Sequence, residues 1–157
     1  MLFGLAVAFV ALALDQAGKW FIWQMLLERQ ATFVISDYFN VVAAFNTGVS
    51  FSMLNNGGMW GRVLLSAFAL GVVLFLLSWL KHENSKLVKF SLGLIIGGAL
   101  GNVLDRLMLG AVFDFLDFHY EGYHWPAFNF ADTFICVGAV LIIFHTLFLR
   151  QKSFVKG

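Results

Sequence analysis

The sequence predicts an all-α membrane protein of four transmembrane helices, with a small β-rich connection on the outer side between helices 1 and 2. Three observations predict it. Hydrophobic residues make up 61% of the 157 residues and charged residues only 12%, about half the charge of an ordinary soluble domain. The apolar residues gather into four stretches, each near the roughly 20 residues a helix needs to cross the hydrocarbon core. The charged residues fall mostly outside those stretches or at their ends, and the connections carry the clear turn signals.

The spans are expected at about 3–27, 62–80, 88–106 and 131–149, within one integral membrane domain covering 1–157. Ala11-Leu12-Ala13 resembles a signal-peptide cleavage site, but no basic region precedes the apolar run. The first stretch therefore reads as a span. In the third span Gly93, Gly97 and Gly101 recur every four residues, a small-residue ridge that lets a second helix approach closely.

The outer connections are expected at about 28–61 and 107–130. In the first, Phe33-Val34-Ile35 and Tyr38-Phe39-Asn40-Val41-Val42 are short apolar runs around a Ser-Asp turn signal, the pattern of two strands. Asn55-Asn56-Gly57-Gly58 marks a loop. Trp60, Tyr120, Tyr123 and Trp125 suit an aromatic belt at headgroup depth.

Lys81, Lys86, Lys89, Arg150, Lys152 and Lys156 fall on one side of the bundle, which the positive-inside rule assigns to the cytoplasm. Both termini are then cytoplasmic. Every acidic residue except Glu83 falls toward the opposite face. A net charge of +1 without a basic cluster argues against a nucleic-acid partner. The single cysteine, Cys136, excludes an internal disulfide; in the fourth span it reads as a buried thiol. His119 and His124 match no zinc spacing, and Ser50 and Ser52 have no nearby base in sequence. No metal or cofactor is expected, and the chain is expected to be a monomer in contact with membrane lipid.

Charges inside a span are costly and mark a partner or a function. Asp15 and Lys19 are four apart on one helix face and can pair, a structural role that needs no chemistry. Asn102 and Asp105 share a face after the glycine ridge. Arg106 can neutralise Asp105 or a lipid phosphate. Asp114 lies in Val112-Phe113-Asp114-Phe115, an apolar setting, and Asp132 opens the fourth span, where the helix dipole favours an acid. Two carboxylates close together share one proton, and such a pair can activate water for peptide hydrolysis. The same acids would also suit a proton or ion relay, and a non-catalytic packing subunit is a third reading. Spacing alone does not decide whether Asp114 or Asp105 partners Asp132.

Taken together these residues resemble the bacterial lipoprotein signal peptidases, or signal peptidase II. Asp15-Gln16-Ala17-Gly18-Lys19 is similar to the first motif of that family and Asn46-Thr47-Gly48-Val49-Ser50-Phe51 to the second. Gly98 through Arg106, Val112-Phe113-Asp114-Phe115 and Phe128-Asn129-Phe130-Ala131-Asp132 are similar to the other three. The resemblance implies an aspartyl endopeptidase of the inner membrane, with its active site toward the outer face. Its partner would be a prolipoprotein whose cysteine already carries a diacylglyceryl group, cut just before that cysteine. It implies Asp114 and Asp132 as the catalytic pair. Asp15, Lys19, Asn46, Gly48, Asn102, Asp105, Arg106, Asn129 and Ala131 would bind substrate or support the pair. Gly18 departs from the usual Ser or Thr, which puts one local hydrogen bond in doubt.

Overall fold

The computed structural model describes residues 1–29, 32–48 and 58–149. Four helices are long and apolar enough to cross a membrane: α1 (Leu2–Arg29), α2 (Gly58–His82), α3 (Lys86–Met108) and α4 (Phe130–Phe144), the last running on through a π-helical turn at His145–Leu149. Between them lie β1 (Thr32–Ser36), β2 (Phe39–Asn46), β3 (Val112–Tyr120) and β4 (Tyr123–His124). Ser50, Ser52, the loop residues 55–57 and the basic residues 150, 152 and 156 lie outside the described residues, and with them the turn signal and the C-terminal half of the second motif.

α3 is the axis of the bundle. In its most apolar window 61% of residues are buried, against 22% or less in the other three helices. Its glycines explain how it is so enclosed. Gly93 lies against the Gly4 carbonyl and Val7, Gly97 against the Ala8 carbonyl and Ala11, and Gly101 against the Asp15 carboxylate. That ridge seats the first half of α1, from Gly4 to Asp15. A second face seats α4: Gly98 lies against the Ala131 carbonyl and Ile135, and Gly138 of α4 lies against the Ser91 carbonyl and Ile95. Lipid offers no hydrophobic drive between helices, so close backbone approach and its dispersion contacts must hold them. α2 packs differently, through a layer of larger side chains in which Val73, Leu76 and Leu80 meet Val88, Leu92 and Ile96. The outward-facing residues, among them Phe9, Phe21, Phe68, Leu74 and Phe75, are large and exposed, as a lipid-facing surface requires. Cys136 also faces outward. The fourth helix turns Ala131, Ile135 and Gly138 toward α3, and the next residue after Ile135 is rotated about 100° away; the expected buried thiol is therefore absent.

The sheet draws on both connections. Its order is β1-β2-β3-β4, antiparallel throughout. β1 and β2 occupy the two runs that the sequence marks as strands, but the longest strand, β3, comes from the second connection, where none was expected. β2 and β3 pair Ala44 with Asp114, Phe45 with Phe113 and Asn46 with Val112, with an irregularity between Val41 and Ala44. Phe113 and Phe115 pack with Leu26 and Val41 in a second core under the sheet. This core ties the sheet to the end of α1.

Substituting Gly97 by alanine puts a methyl group against the Ala8 carbonyl and 2.8 Å from the Ala11 Cβ. Overpacking of this kind costs about 1–3 kcal/mol. Gly71 on α2 has open space around it, so Gly71→Ala is expected to stay within about 0.5 kcal/mol of the parent. Thermal unfolding of the two variants in detergent checks the difference; equal midpoints would remove the ridge as the seat of α1.

Candidate active site

Asp15, Lys19, Asn102, Asp105, Asp114 and Asn129, all buried, form one connected network at the end of the bundle where the sheet sits. It begins at Lys19, which is 5% exposed. An ammonium group has three protons to donate, and Lys19 Nζ finds three acceptors: Asp15 Oδ2 at 2.8 Å, Asp105 Oδ2 at 2.8 Å and Asn102 Oδ1 at 3.4 Å. Asp15 is fully buried, and its other oxygen accepts the Ala131 N–H at 2.9 Å. Ala131 therefore contributes its backbone, and its small side chain permits the approach to Gly98 and Gly101.

Asp105 binds Lys19, not Arg106. Neighbouring residues on a helix point in directions about 100° apart, so Arg106 cannot turn back onto the adjacent carboxylate; its Nη1 instead donates to the Asn102 carbonyl at 3.2 Å. Asp105 Oδ2 also accepts the Phe113 N–H at 3.0 Å, which holds the start of β3. Gln16 donates to Asp15 Oδ2 and to Asp105 Oδ1, each at 3.1 Å. Gln16 has no assigned part in the sequence reading beyond lying inside the first motif. Its adjacency to Asp15 was the one available signal, and the partner 89 residues away was not visible.

The second half of the network is built by α4. Just before it, Phe128 pairs with β3: the Phe115 and Leu116 N–H groups donate to the Phe128 carbonyl at 3.1 and 2.9 Å, and the Phe128 N–H donates to the Leu116 carbonyl at 3.1 Å. This pins Asn129 beside Asp114. Asn129 is the N-cap of α4, and with Asp132 it forms a reciprocal capping box: the Asp132 N–H donates to Asn129 Oδ1 at 3.0 Å, and the Asn129 N–H donates to Asp132 Oδ2 at 3.2 Å. Such a box satisfies donors that a helix start leaves open. Asn129 Nδ2 donates to Asp114 Oδ1 at 2.6 Å and to Asn102 Oδ1 at 3.2 Å. Asn102 Nδ2 in turn donates to Asp132 Oδ1 at 2.8 Å. Asp114 and Asp132 are thus held by the same asparagine. Asp105, engaged by Lys19, Gln16 and Phe113, stands outside that pairing.

Asp114 is 1% exposed. Burial, reinforced by the nearby Asp132 charge, pushes its carboxyl up to about 6, against the opposing hydrogen bonds of Asn46 and Asn129. Asn46, at the end of β2, also accepts the Gly48 N–H on its side-chain oxygen at 2.8 Å. Gly48 has φ +75° and lies against Leu65, a conformation that suits glycine. Gly18 is accounted for by packing: a Cβ there would sit 2.6 Å from the Phe130 ring, so the departure at this position makes room for an aromatic side chain. His119 and His124 are apart from this network, on β3 and β4, where His124 Nδ1 lies 2.8 Å from Asp117. Among the described residues no cluster of His, Cys, Asp and Glu is arranged to hold a metal ion.

The family profile described as "Signal peptidase (SPase) II" matches residues 7–148. The chain belongs to the signal peptidase II family. That makes it an aspartic peptidase. It is 44% identical over 154 residues to a lipoprotein signal peptidase of Polynucleobacter necessarius subsp. necessarius (strain STIR1), covering 98% of this chain and 92% of that one. It is 43% identical over 148 residues to a lipoprotein signal peptidase of Janthinobacterium sp. (strain Marseille), covering 94% and 89%. A solved bacterial membrane enzyme, determined by the in meso method at 2.3 Å resolution, superposes with a TM-score of 0.74 at 25% identity, over 92% of this chain and 87% of the other.

Replacing Lys19 by methionine leaves Asp15 and Asp105 buried without their shared cation. Breaking a buried ion pair in this way costs about 3–5 kcal/mol, so Lys19→Met is expected to unfold at markedly lower denaturant or temperature in detergent. A loss below about 1 kcal/mol, the usual worth of an exposed pair, would contradict the assignment of Lys19 as the hub.

Proposed function

We propose that this chain is a lipoprotein signal peptidase of a bacterial inner membrane. It removes the signal peptide from diacylglyceryl-modified prolipoproteins by cutting just before the lipidated cysteine. The whole chain forms one multi-pass domain, with both termini cytoplasmic and the sheet and the active site toward the outer face. Lys81 at the end of α2 and Lys86 and Lys89 at the start of α3 support that orientation.

The observation that carries the chemistry is that Asp114 and Asp132 meet at Asn129, with the Asp114 carboxyl raised to about 6 by burial and by its neighbour. Two acids so placed hold one proton between them. Asp114, enclosed, keeps the proton. Asp132, half-buried at the start of α4, takes a proton from the attacking water. The water oxygen bonds to the carbonyl carbon before the lipidated cysteine while Asp114 gives its proton to the carbonyl oxygen. Collapse of the tetrahedral species breaks the C–N bond. The proton on Asp132 passes to the departing amine of the cysteine, and the carbonyl oxygen returns its proton to Asp114. Asn102 and Asn129 orient the two carboxyls, Asp15, Lys19 and Asp105 fix α1, α3 and β3 around them, and Arg106 steadies the end of α3 through the Asn102 carbonyl. Asn46 and Gly48 line the approach from the sheet.

Asp114→Asn and Asp132→Asn each remove a proton carrier, and each is expected to lower turnover of a lipidated precursor in liposomes by at least about 100-fold while the protein stays folded and inserted. Normal cleavage by either variant removes that residue from the pair. The parent enzyme should also depend on pH in a defined sense. Asp114 is protonated below about 6 and ionised above it, so kcat/KM falls as pH rises through that value. A rate that climbs steadily from pH 5 to 8 would show that the protonated acid is not required.

A further inference from the structure

Across α3 from the Lys19 hub, the outer ends of α2 and α3 stand apart around a cleft of about 440 Å³. Val63, Leu70 and Leu107 give it apolar walls, and Arg62, Ser66 and Arg106 supply its polar groups. Two of the buried polar atoms here lack partners. Ser66 is 6% exposed, and its hydroxyl oxygen makes no hydrogen bond. Arg106 Nε is buried and equally unpartnered. Among the described residues no carboxylate pairs with Arg62 or Arg106. Arg62 lies against Gly110 just after α3, where a Cβ would stand 2.9 Å from its Nη1. A buried hydroxyl or guanidinium nitrogen left unbonded is costly, and two arginines without a counter-charge in one apolar cleft leave a site short of an anion.

We propose that this cleft binds the phosphate of an anionic membrane phospholipid, with Arg62 and Arg106 on the phosphate oxygens, Ser66 donating its hydroxyl proton, and an acyl chain against Val63, Leu70 and Leu107. Guanidinium groups suit phosphate because their paired donors match its oxygens. The depth also fits: Arg62 is within the first turn and a half of α2 and Arg106 in the last turn of α3, the same end of both spans. Basic pockets between transmembrane helices bind anionic headgroups at the cytoplasmic side, and the same pairing is open to a phosphate at this outer end. The apolar walls distinguish a lipid from a free anion. The packed layer between α2 and α3 is built from Val73, Leu76 and Leu80, so a lipid seated here would hold the remaining outer part of α2 against α3. The site shares Arg106 with the active-site network, but binding is read on the resting protein, so the test does not depend on cleavage.

The test uses the purified full-length chain in neutral detergent. Three probes are titrated by calorimetry and counted by native mass spectrometry: short-chain phosphatidylglycerol, diacylglycerol with the same chains, and inorganic phosphate. Phosphatidylglycerol should bind at one site, at least about tenfold more tightly than either of the others, a difference of about 1.4 kcal/mol. Arg62→Gln should weaken it by about tenfold, the scale of one charge-assisted pair, while Arg62→Lys, which keeps the charge, should lose less. Ser66→Ala should weaken it by a smaller factor without changing the thermal midpoint of the lipid-free protein. Diacylglycerol binding as tightly would show that the cleft recognises only chains. Inorganic phosphate binding as tightly would show an anion site with no lipid character. Unchanged affinity in both Arg62→Gln and Ser66→Ala would place the lipid elsewhere. Any of these three results overturns the proposal.

Discussion

One asparagine amide sets the geometry on which the site depends. Asn129 must be the N-cap of α4, because its side-chain oxygen takes the Asp132 N–H, and that same bond turns its amide nitrogen toward Asp114 and Asn102. A single side chain therefore starts a membrane helix and brings two acids from different elements to one point. Neither task could be given up without the other. An aspartate at this position could cap the helix equally well, but it would set a third carboxylate against two others, and like charges so close disfavour ionisation. A serine or threonine cap would have to serve both tasks from one hydroxyl oxygen, whereas asparagine carries its acceptor for the helix and its donors for a neighbouring acid on separate atoms.

The rest of the structure keeps Asp114 within reach of that amide. β3 is held at three places: by β2 along its length, by Phe128 at Leu116, and by the Asp105 carboxylate at the Phe113 N–H. Asp105 is positioned in turn by Lys19, which sits on α1. α1 can come so near only because Gly93, Gly97 and Gly101 offer it a smooth face, the last of them leaving room for the Asp15 carboxylate itself. A change on the glycine ridge is thus felt at the acids through a chain of contacts with a named residue at every link. Buried charges of this kind add little net stability by themselves, since desolvation offsets most of the attraction. What they contribute here is register between α1, α3 and β3.

The helices were legible in the sequence because a membrane asks for a long apolar run and little else. The glycine ridge was legible from its four-residue spacing, and the Asp15–Lys19 pair from one helical turn. The strands β1 and β2 were visible as short apolar runs about a turn. β3 was not. Phe113 and Phe115 alternate about Asp114, which is a strand signal in hindsight, but the aspartate drew attention to itself and Val112 through Phe115 are all buried, so the usual contrast between a wet and a dry face is missing. Long-range pairing was hidden as well. Lys19 meets Asp105 and Gln16 meets Asp105 across some 86 and 89 residues of chain, and local charge spacing pointed to Arg106 instead. The family resemblance supplied the choice of Asp114 over Asp105 that spacing left open; the geometry adds a physical basis, since Asp105 already has a cation and a backbone donor of its own.

The proton held by Asp114 is the most direct object of measurement. Infrared spectra of the protein in lipid, with aspartate carboxyls carrying carbon-13, separate a protonated carboxyl from a carboxylate by its carbonyl stretch. The account predicts a protonated band that titrates away near about pH 6, disappears in Asp114→Asn, and shifts to lower pH when Asp132 is replaced by asparagine. A parent protein with no protonated aspartate at pH 5, or one whose band survives in Asp114→Asn, would contradict it.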